Sequence, residues 1–180
     1  MDSSSHQSTP KDLIITHLEM THPDQFVPAF LESGAENYPI LKMEIVDVAF
    51  YRFLYGTVGA VWHWRDRLLL SDDELQHILS QPSNSVYTLF ASGVPAGYVE
   101  LEATDAETQI AYFGLRPQFH GKGLGKHLLS IGIQEAWARG NPRLTLHTNN
   151  LDGPYALTNY LKRGFSVHHL QTQPMPEHYQ

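Results

Sequence analysis

The sequence predicts a mixed α/β protein (α+β) with one domain, in which a central mixed but mostly antiparallel sheet has helices on both faces. Three observations lead to this prediction. The length of 180 residues suits one domain. Three β-rich segments follow one another across short turns, which favours an antiparallel meander. The remainder alternates strand, helix and strand, as in sheets covered by helices.

The first third of the chain supplies one strand and two helices. The β-branched segment LIITHLE (13–19) predicts a strand. Apolar residues recur mostly at helical spacing from Leu41 to Val58 and predict a helix there. A second helix is expected over ELQHILSQ (74–81), because Asp72 and Asp73 precede its apolar stripe.

The rest of the chain continues the pattern. The meander strands are expected at 85–91, 97–103 and 108–115. A leucine-rich helix over 123–139, a strand over 143–148, a helix over 155–163 and a last strand over 165–170 follow. We expect the domain to span 13–170, between a disordered tail at 1–12 and a polar C-terminal tail at 171–180.

Composition excludes several classes of function. Twelve Lys and Arg against nineteen Asp and Glu give a net charge of −7, which opposes broad binding to nucleic acid. The chain has no cysteine, so disulfides, thiolate metal sites and cysteine nucleophiles are excluded. No apolar run approaches the roughly 18 residues that span a bilayer. We therefore expect a cytoplasmic protein without membrane partners.

Eleven histidines raise the question of a metal site. The chain has no HExxH motif and no close pairing of histidine with a carboxylate, and His168 and His169 alternate across a predicted strand. We therefore predict no metal.

The segment FHGKGLGK (119–126) joins a predicted strand to the leucine-rich helix. Glycines at such a junction leave backbone N–H groups free, and with the helix dipole and two lysines they form an anion site suited to a pyrophosphate. A Walker loop is excluded because His127 follows Lys126 where Ser or Thr is needed. A dinucleotide fingerprint is excluded because its third glycine is missing.

This segment resembles the acetyl-CoA loop of the GNAT superfamily of N-acetyltransferases, and the chain resembles an uncharacterised bacterial branch of it. The family pattern is Arg or Gln, two residues, Gly, one residue, then Gly or Ala. The register that starts the helix correctly puts it on His120, Gly123 and Gly125. Gln118 opens an alternative register that fits literally but falls two residues too early for the helix.

The resemblance implies acetyl-CoA as cosubstrate. The strand before the loop matches the segment that receives the pantetheine arm, and the amide of Leu115 would lie near the thioester carbonyl. The residues expected to contact acetyl-CoA are Phe113, Gly114, Leu115, His120, Gly121, Lys122, Gly123, Leu124, Gly125, Lys126 and Asn150.

The later helix extends the resemblance. In the family it carries an Asn, an Ala and a Tyr that lies four residues before Gly-Phe, and Tyr160 falls on the tyrosine position. The resemblance implies that Tyr160 protonates the departing CoA thiolate. The usual Asn position holds Gly153, for which Asn149, Asn150 or Asp152 are the candidate substitutes.

Two carboxylates are candidates for the general base. Glu100 and Glu102 alternate onto one face of a meander strand, beside the strand that carries Leu115. Glu100 is favoured because its neighbours are apolar. Gln109, at the position of a catalytic Glu in some histone-type members, cannot act as a base.

The aromatic front half supplies candidate acceptor-binding residues, namely Arg52, Trp62, Trp64 and Arg65. The tryptophans follow glycines that should end the helix, so at least one is expected at a pocket mouth. Aromatic walls and Asp66 favour an alkyl or cationic amine, whereas the arginines favour a carboxylate. The sequence leaves both open.

The function expected from these features is direct acetyl transfer from acetyl-CoA to a primary amine in a ternary complex. The acceptor is a small-molecule amine or a peptide, with no nucleic acid partner, and a homodimer is left open. The alternative is a catalytically inactive acyl-CoA-binding module with a regulatory or scaffold role.

Overall fold

A computed structural model describes residues 10–179 of the protein. One seven-stranded sheet has the order β2-β3-β4-β5-β6-β1-β7. The strands are β1 (Asp12–Met20), β2 (Ile40–Lys42), β3 (Asn84–Ala91), β4 (Val94–Ala103), β5 (Thr108–Leu115), β6 (Leu144–Asn149) and β7 (Ser166–Pro174). The α-helices are α1 (Val48–Gly59), α2 (Asp72–Leu79), α3 (Leu124–Trp137) and α4 (Ala156–Lys162).

The sheet is mixed in the way the sequence predicts. Strands β3, β4 and β5 form the antiparallel meander, and β2 extends it. Among the strand pairs of residues 10–179, only β5–β6 is parallel. Strand β1 lies inside the sheet and pairs antiparallel with both β6 and β7. The predicted fold class is therefore confirmed.

Side chains on the two faces of β4 belong to two separate cores. Val99 and Leu101 pack in a cluster with leucines of α3. Tyr98 packs on the opposite face in a cluster with residues of α1 and α2. Because successive strand residues face opposite ways, one strand serves both cores, and helices cover both faces as predicted.

The first predicted helix is too long at its N-terminal end. Residues 40–42 form β2, and the backbone N–H of Met43 donates to the carbonyl of Val86. Asp47 caps α1 by accepting from the backbone N–H of Phe50 at 2.8 Å. Apolar residues at helical spacing before this cap belong to an edge strand, which the periodicity alone did not separate.

The predicted tails need correction where the structure describes them. The last strand continues through Pro174, because residues 171–174 pair with 12–15 of β1. Met175 is buried beyond it. The expected C-terminal tail at 171–180 is therefore wrong for 171–175. Asp12 already belongs to β1, and residues 1–9 and 180 lie outside the described part.

Within residues 10–179, no helix is long and apolar enough to cross a bilayer.

Gly164 fixes the position of α4. It follows the helix with φ +103°, and a Cβ built on it would lie 1.8 Å from the carbonyl oxygen of Gln25. The neighbouring carbonyl of Arg163 accepts from the backbone N–H of Val27 at 3.0 Å. The end of α4 therefore packs directly on backbone, where only glycine fits.

We predict that Gly164→Ala lowers the free energy of unfolding by at least about 3 kcal/mol, because strain at positive φ adds to a backbone collision. Gly140→Ala is the matched control, since Gly140 has φ +80° and open space around its Cβ position. It should cost about 1 kcal/mol. Urea unfolding measures both, and equal losses would show that the contact with Gln25 relaxes without cost.

Candidate functional site

The central feature of the site is a gap between two parallel strands. β5 and β6 pair only from Thr108 to Ile110 against Leu144 to Leu146. Beyond these residues the two strands are no longer partners. A cavity of about 950 Å³ is lined by residues on both sides of the gap. Its size is at the upper end for small-molecule sites.

The backbone of β5 turns polar groups towards this gap. The N–H of Arg116 donates to the carbonyl of Ala96 on the β4 side. Because antiparallel pairing alternates, the N–H and C=O groups of Phe113 and Leu115 point the other way. His120 Nε2 donates to the carbonyl of Leu115 at 3.0 Å, while the Leu115 amide remains directed at the gap.

The segment 119–126, which we call the glycine loop, leads from β5 into α3. Gly121 and Gly123 have φ of 76° and 74°. Gly123 is the N-cap of α3 and supplies no side-chain cap, so the first N–H groups of the helix are free of a side-chain acceptor. Helix α3 begins at Leu124, where the favoured register of the family pattern puts it.

The predicted loop residues divide into two groups. The loop residues that line the cavity are His120, Gly121, Gly123, Gly125 and Lys126, and the strand residues Phe113, Gly114 and Leu115 also line it. Leu124 is instead buried in the core against the sheet. Lys122 has its Nζ 5.6 Å from the ring centre of Phe119. These two are not among the lining residues.

Asn150 lies outside the cavity lining. Its Oδ1 accepts from the backbone N–H of Ile14 at 2.9 Å, and its Nδ2 donates to the carbonyl of Asp12 at 3.0 Å. It therefore holds the start of β1. Of the candidates for the missing Asn, Asn149 and Asp152 do line the cavity.

The glycine at the usual Asn position is explained by a tryptophan. A Cβ on Gly153 would lie 3.0 Å from the indole of Trp62. A Cβ on Gly59 would lie 2.5 Å from Trp64. Two backbone positions without side chains thus accommodate two indoles on the cavity wall.

Tyr160 lies on α4 and lines the cavity. Its ring packs edge-on against Phe113 and Phe165, with ring centres 6.2 and 6.3 Å apart. Burial and the nearby charge of Asp152 raise the pKa of Tyr160 above its usual value. The phenol is therefore neutral at pH 7 and can donate a proton.

The two predicted base carboxylates do not line the cavity. Glu100 is fully buried and accepts from Tyr51, from Asn84 at 2.8 Å and from Arg67 at 2.8 Å. Arg67 also donates to Glu102. Burial raises the pKa of Glu100, against the lowering effects of Arg67 and its hydrogen-bond donors. Glu100 and Glu102 therefore neutralise the charge of Arg67 beneath α1.

The predicted arginines also lie away from the cavity lining. Arg52 donates to Asp72 at 2.8 Å and to the carbonyl of Leu70 at 2.7 Å. Arg65 donates to the carbonyl of its neighbour Trp64 at 3.0 Å. Both tryptophans, in contrast, line the cavity.

The sequence analysis missed several lining residues, among them Tyr112, His147 and Tyr179. Tyr112 gave no signal beyond its place in a meander strand. His147 stands directly after the last parallel-paired residue of β6. Tyr179 lies in a segment predicted as a tail, and its hydroxyl donates to Asp66 at 2.7 Å.

Among the described residues, no group of three or more His, Asp or Glu is arranged to hold a metal ion.

A family model described as acetyltransferase (GNAT) family matches residues 49–165. The chain belongs to the GNAT family. The match includes the glycine loop and Tyr160. Among curated proteins, none matches this sequence.

Solved structures share the GNAT fold. The N-acetyltransferase from Sphaerobacter thermophilus, described as GCN5-related, is 16% identical with a TM-score of 0.64 over 92% of this chain. The GCN5-related protein from Kribbella flavida is 16% identical with a TM-score of 0.61 over 88%. This chain spans 52% and 56% of those two proteins.

An aminoglycoside acetyltransferase from an uncultured soil metagenomic sample is 17% identical. Its TM-score is 0.61, over 71% of this chain and 88% of its own.

We predict that Arg67→Leu lowers the free energy of unfolding by about 3 to 5 kcal/mol at pH 8, because it leaves Glu100 buried without a cation. The raised pKa means that the folded state holds the Glu100 proton more tightly than the unfolded state. The penalty is therefore absent below the unfolded-state pKa, grows as the pH rises from that pKa to the higher folded-state pKa, and is complete above it. Urea unfolding at pH 5 should show a smaller loss.

Arg65→Leu is the control for the loss of one arginine beside the same site. It should change the free energy by less than about 1 kcal/mol. An equal loss for Arg67→Leu at pH 5 and pH 8 would mean that packing, not neutralisation of Glu100, is its contribution.

Proposed function

We propose that the protein is an acetyl-CoA-dependent N-acetyltransferase that passes the acetyl group directly to a primary amine in a ternary complex. One observation carries the proposal: the uncapped start of α3, the gap-facing backbone of β5 and Tyr160 all border one cavity. Acetyl transfer from CoA needs a site for the phosphates, a strand edge that binds the pantetheine arm and a proton donor for the thiolate.

The loop fits a pyrophosphate in charge and in shape. The dipole of α3 and Lys126 supply positive potential, and free N–H groups supply donors. Gly125 adds no side chain to the cavity wall. A Cβ there would lie at ordinary contact distance, 3.6 Å, from Leu115. His120 is held by the strand, so the phosphate contacts are proposed for the backbone and for Lys126.

The chemistry proceeds by attack of the neutral amine nitrogen on the thioester carbon. The Leu115 amide stabilises the tetrahedral oxyanion, a contribution worth about 10²-fold to 10³-fold for one donor. The C–S bond then breaks, Tyr160 protonates the thiolate, and the proton that the nitrogen loses as the amide forms restores the phenol. No covalent intermediate on a cysteine arises, because the chain has none.

The amine must lose a proton before it attacks. Glu100 and Glu102 are not carried into this proposal, since Arg67 engages both and neither lines the cavity. The lining groups able to accept a proton, directly or through water, are Asp66, Asp152 and His147. Desolvation and the neighbouring His17 lower the pKa of His147, which keeps it neutral at pH 7.

We propose a small-molecule amine as the acceptor and no nucleic acid partner. The net charge of −7 opposes a polyanionic partner. The similar metagenomic structure is an aminoglycoside acetyltransferase, which is consistent with this acceptor class.

The loop assignment is tested with Gly125→Asp. Acetyl-CoA at about one hundred times its dissociation constant should stabilise the wild type by about 2.7 kcal/mol, seen as a higher Tm. The aspartate puts a charge against the phosphate, so the shift should vanish. Gly125→Ala adds a methyl group at ordinary contact distance and should keep the shift. An unchanged shift in Gly125→Asp would refute the assignment.

The proton-donor role is tested with Tyr160→Phe, which retains the ring packing and removes the hydroxyl. Turnover, measured as thiol release from acetyl-CoA, should fall about 10²-fold to 10⁴-fold, with the acetyl-CoA Kd nearly unchanged. Tyr87→Phe is the control, because Tyr87 bonds to Glu135 outside the cavity. Thermal stabilisation without thiol release from the wild type, across an amine panel, would favour an inactive acyl-CoA-binding module.

A further inference from the structure

One region of the cavity wall is aromatic and acidic. We call it the acceptor end and define it by the lining residues Tyr55, Trp62, Trp64, Asp66, Tyr112, Asp152 and Tyr179. The rings of Tyr55, Trp64 and Tyr112 contact one another, with centres 5.1 to 5.6 Å apart. Electron-rich ring faces attract cations, so this wall favours an organic cation over a neutral or anionic group.

The two carboxylates of this end are held by hydrogen-bond donors other than Lys and Arg. Asp66 accepts from the Tyr179 hydroxyl at 2.7 Å and lies 3.2 Å from His178. Asp152 accepts from the Thr148 hydroxyl at 2.6 Å and from the Asn149 backbone N–H at 3.0 Å. Its other oxygen lies 3.4 Å from Trp64 Nε1. Within residues 10–179, neither carboxylate pairs with Lys or Arg.

The arginines near this end bind other carboxylates. Arg67 binds Glu100 and Glu102, and its guanidinium also lies 5.3 Å from the ring centre of Tyr112. Arg52 binds Asp72. The basic residues that do line the cavity belong to the first turn of α3 and the end of α4, namely Lys126, Lys162 and Arg163. The acceptor end thus carries two carboxylates without a Lys or Arg to neutralise them.

Two carboxylates exceed what one reacting amine requires. The nitrogen that attacks must be neutral at that moment, so it balances the charge of neither carboxylate. A second ammonium on the same molecule would supply the compensation and would be held by charge-assisted hydrogen bonds.

Resting on the proposed function, we infer that the acceptor is a small diamine or polyamine, in which one amine receives the acetyl group and another, still protonated, binds at the acceptor end. This decides between the two substrate chemistries that the sequence left open, since the arginines that would favour a carboxylate do not line the cavity. Asp66 and Asp152 are the specificity-determining residues in this inference.

Three compounds of one length test the inference, because they share the reacting amine and differ at the far end. 1,5-Diaminopentane ends in a cation, pentylamine in a methyl group and 5-aminopentanoate in an anion. The wild type should acetylate the diamine with a kcat/KM at least about tenfold above that of pentylamine, and 5-aminopentanoate should be the poorest.

The variants Asp66→Asn and Asp152→Asn connect this preference to the two carboxylates. Each should lower the ratio of kcat/KM for the diamine to that for pentylamine by about fivefold to tenfold. The ratio compares two substrates on one preparation, so a partly unfolded variant does not alter it. Asp105→Asn removes an equal charge from an exposed turn outside the cavity and should leave the ratio as in the wild type.

The outcomes separate this inference from the proposed function. Equal kcat/KM for the diamine and pentylamine, or a preference for 5-aminopentanoate, overturns the inference and leaves N-acetylation standing. If the wild type acetylates none of the three, calorimetry of each compound with the CoA-loaded protein decides. Binding of the diamine at least about tenfold tighter than pentylamine upholds the inference, and equal or absent binding overturns it.

Discussion

The early end of pairing between β5 and β6 is the constraint on which the rest of the site depends. Parallel strands that stayed paired would fill the sheet and satisfy each other's backbone groups. Here the pairing stops after Ile110 and Leu146, so the last residues of β5 keep hydrogen-bonding groups that face a cavity. The glycine loop, α4 and the tryptophan segment all border this opening. The exposed backbone groups of the site therefore exist because β5 and β6 stop pairing before β5 ends.

The two indoles explain both the shape of the acceptor end and a departure from the family pattern. Trp62 takes the space in front of Gly153, the position at which the sequence resemblance implies an Asn, and Trp64 fits against Gly59. The glycine at 153 is thus matched to a tryptophan far away in sequence. The Arg67–Glu100 pair lies beneath this wall and anchors the segment that follows Trp64.

The sequence could predict the elements whose signals are local. Periodicity and turns located the meander, α2, α3 and α4, and the loop pattern located the start of α3. It could not assign Glu100, because apolar neighbours along a strand look alike beside a cavity and beneath a helix. Nor could it separate Arg52 from a substrate site, since its partner Asp72 lies in another element. Tyr179 was missed because a polar, proline-containing end resembles a tail until its partner Asp66 is known.

Strand β1 lies inside the sheet and joins β6 to β7, the last two strands of the chain. A chain in which β1 has not docked exposes the edge of β6 and leaves β7 without a partner strand, so both carry unpaired N–H and C=O groups that invite association with other chains. The same undocked chain also lacks support for the β6 side of the cavity. Protection against aggregation and completion of the cavity wall therefore arise in one docking event.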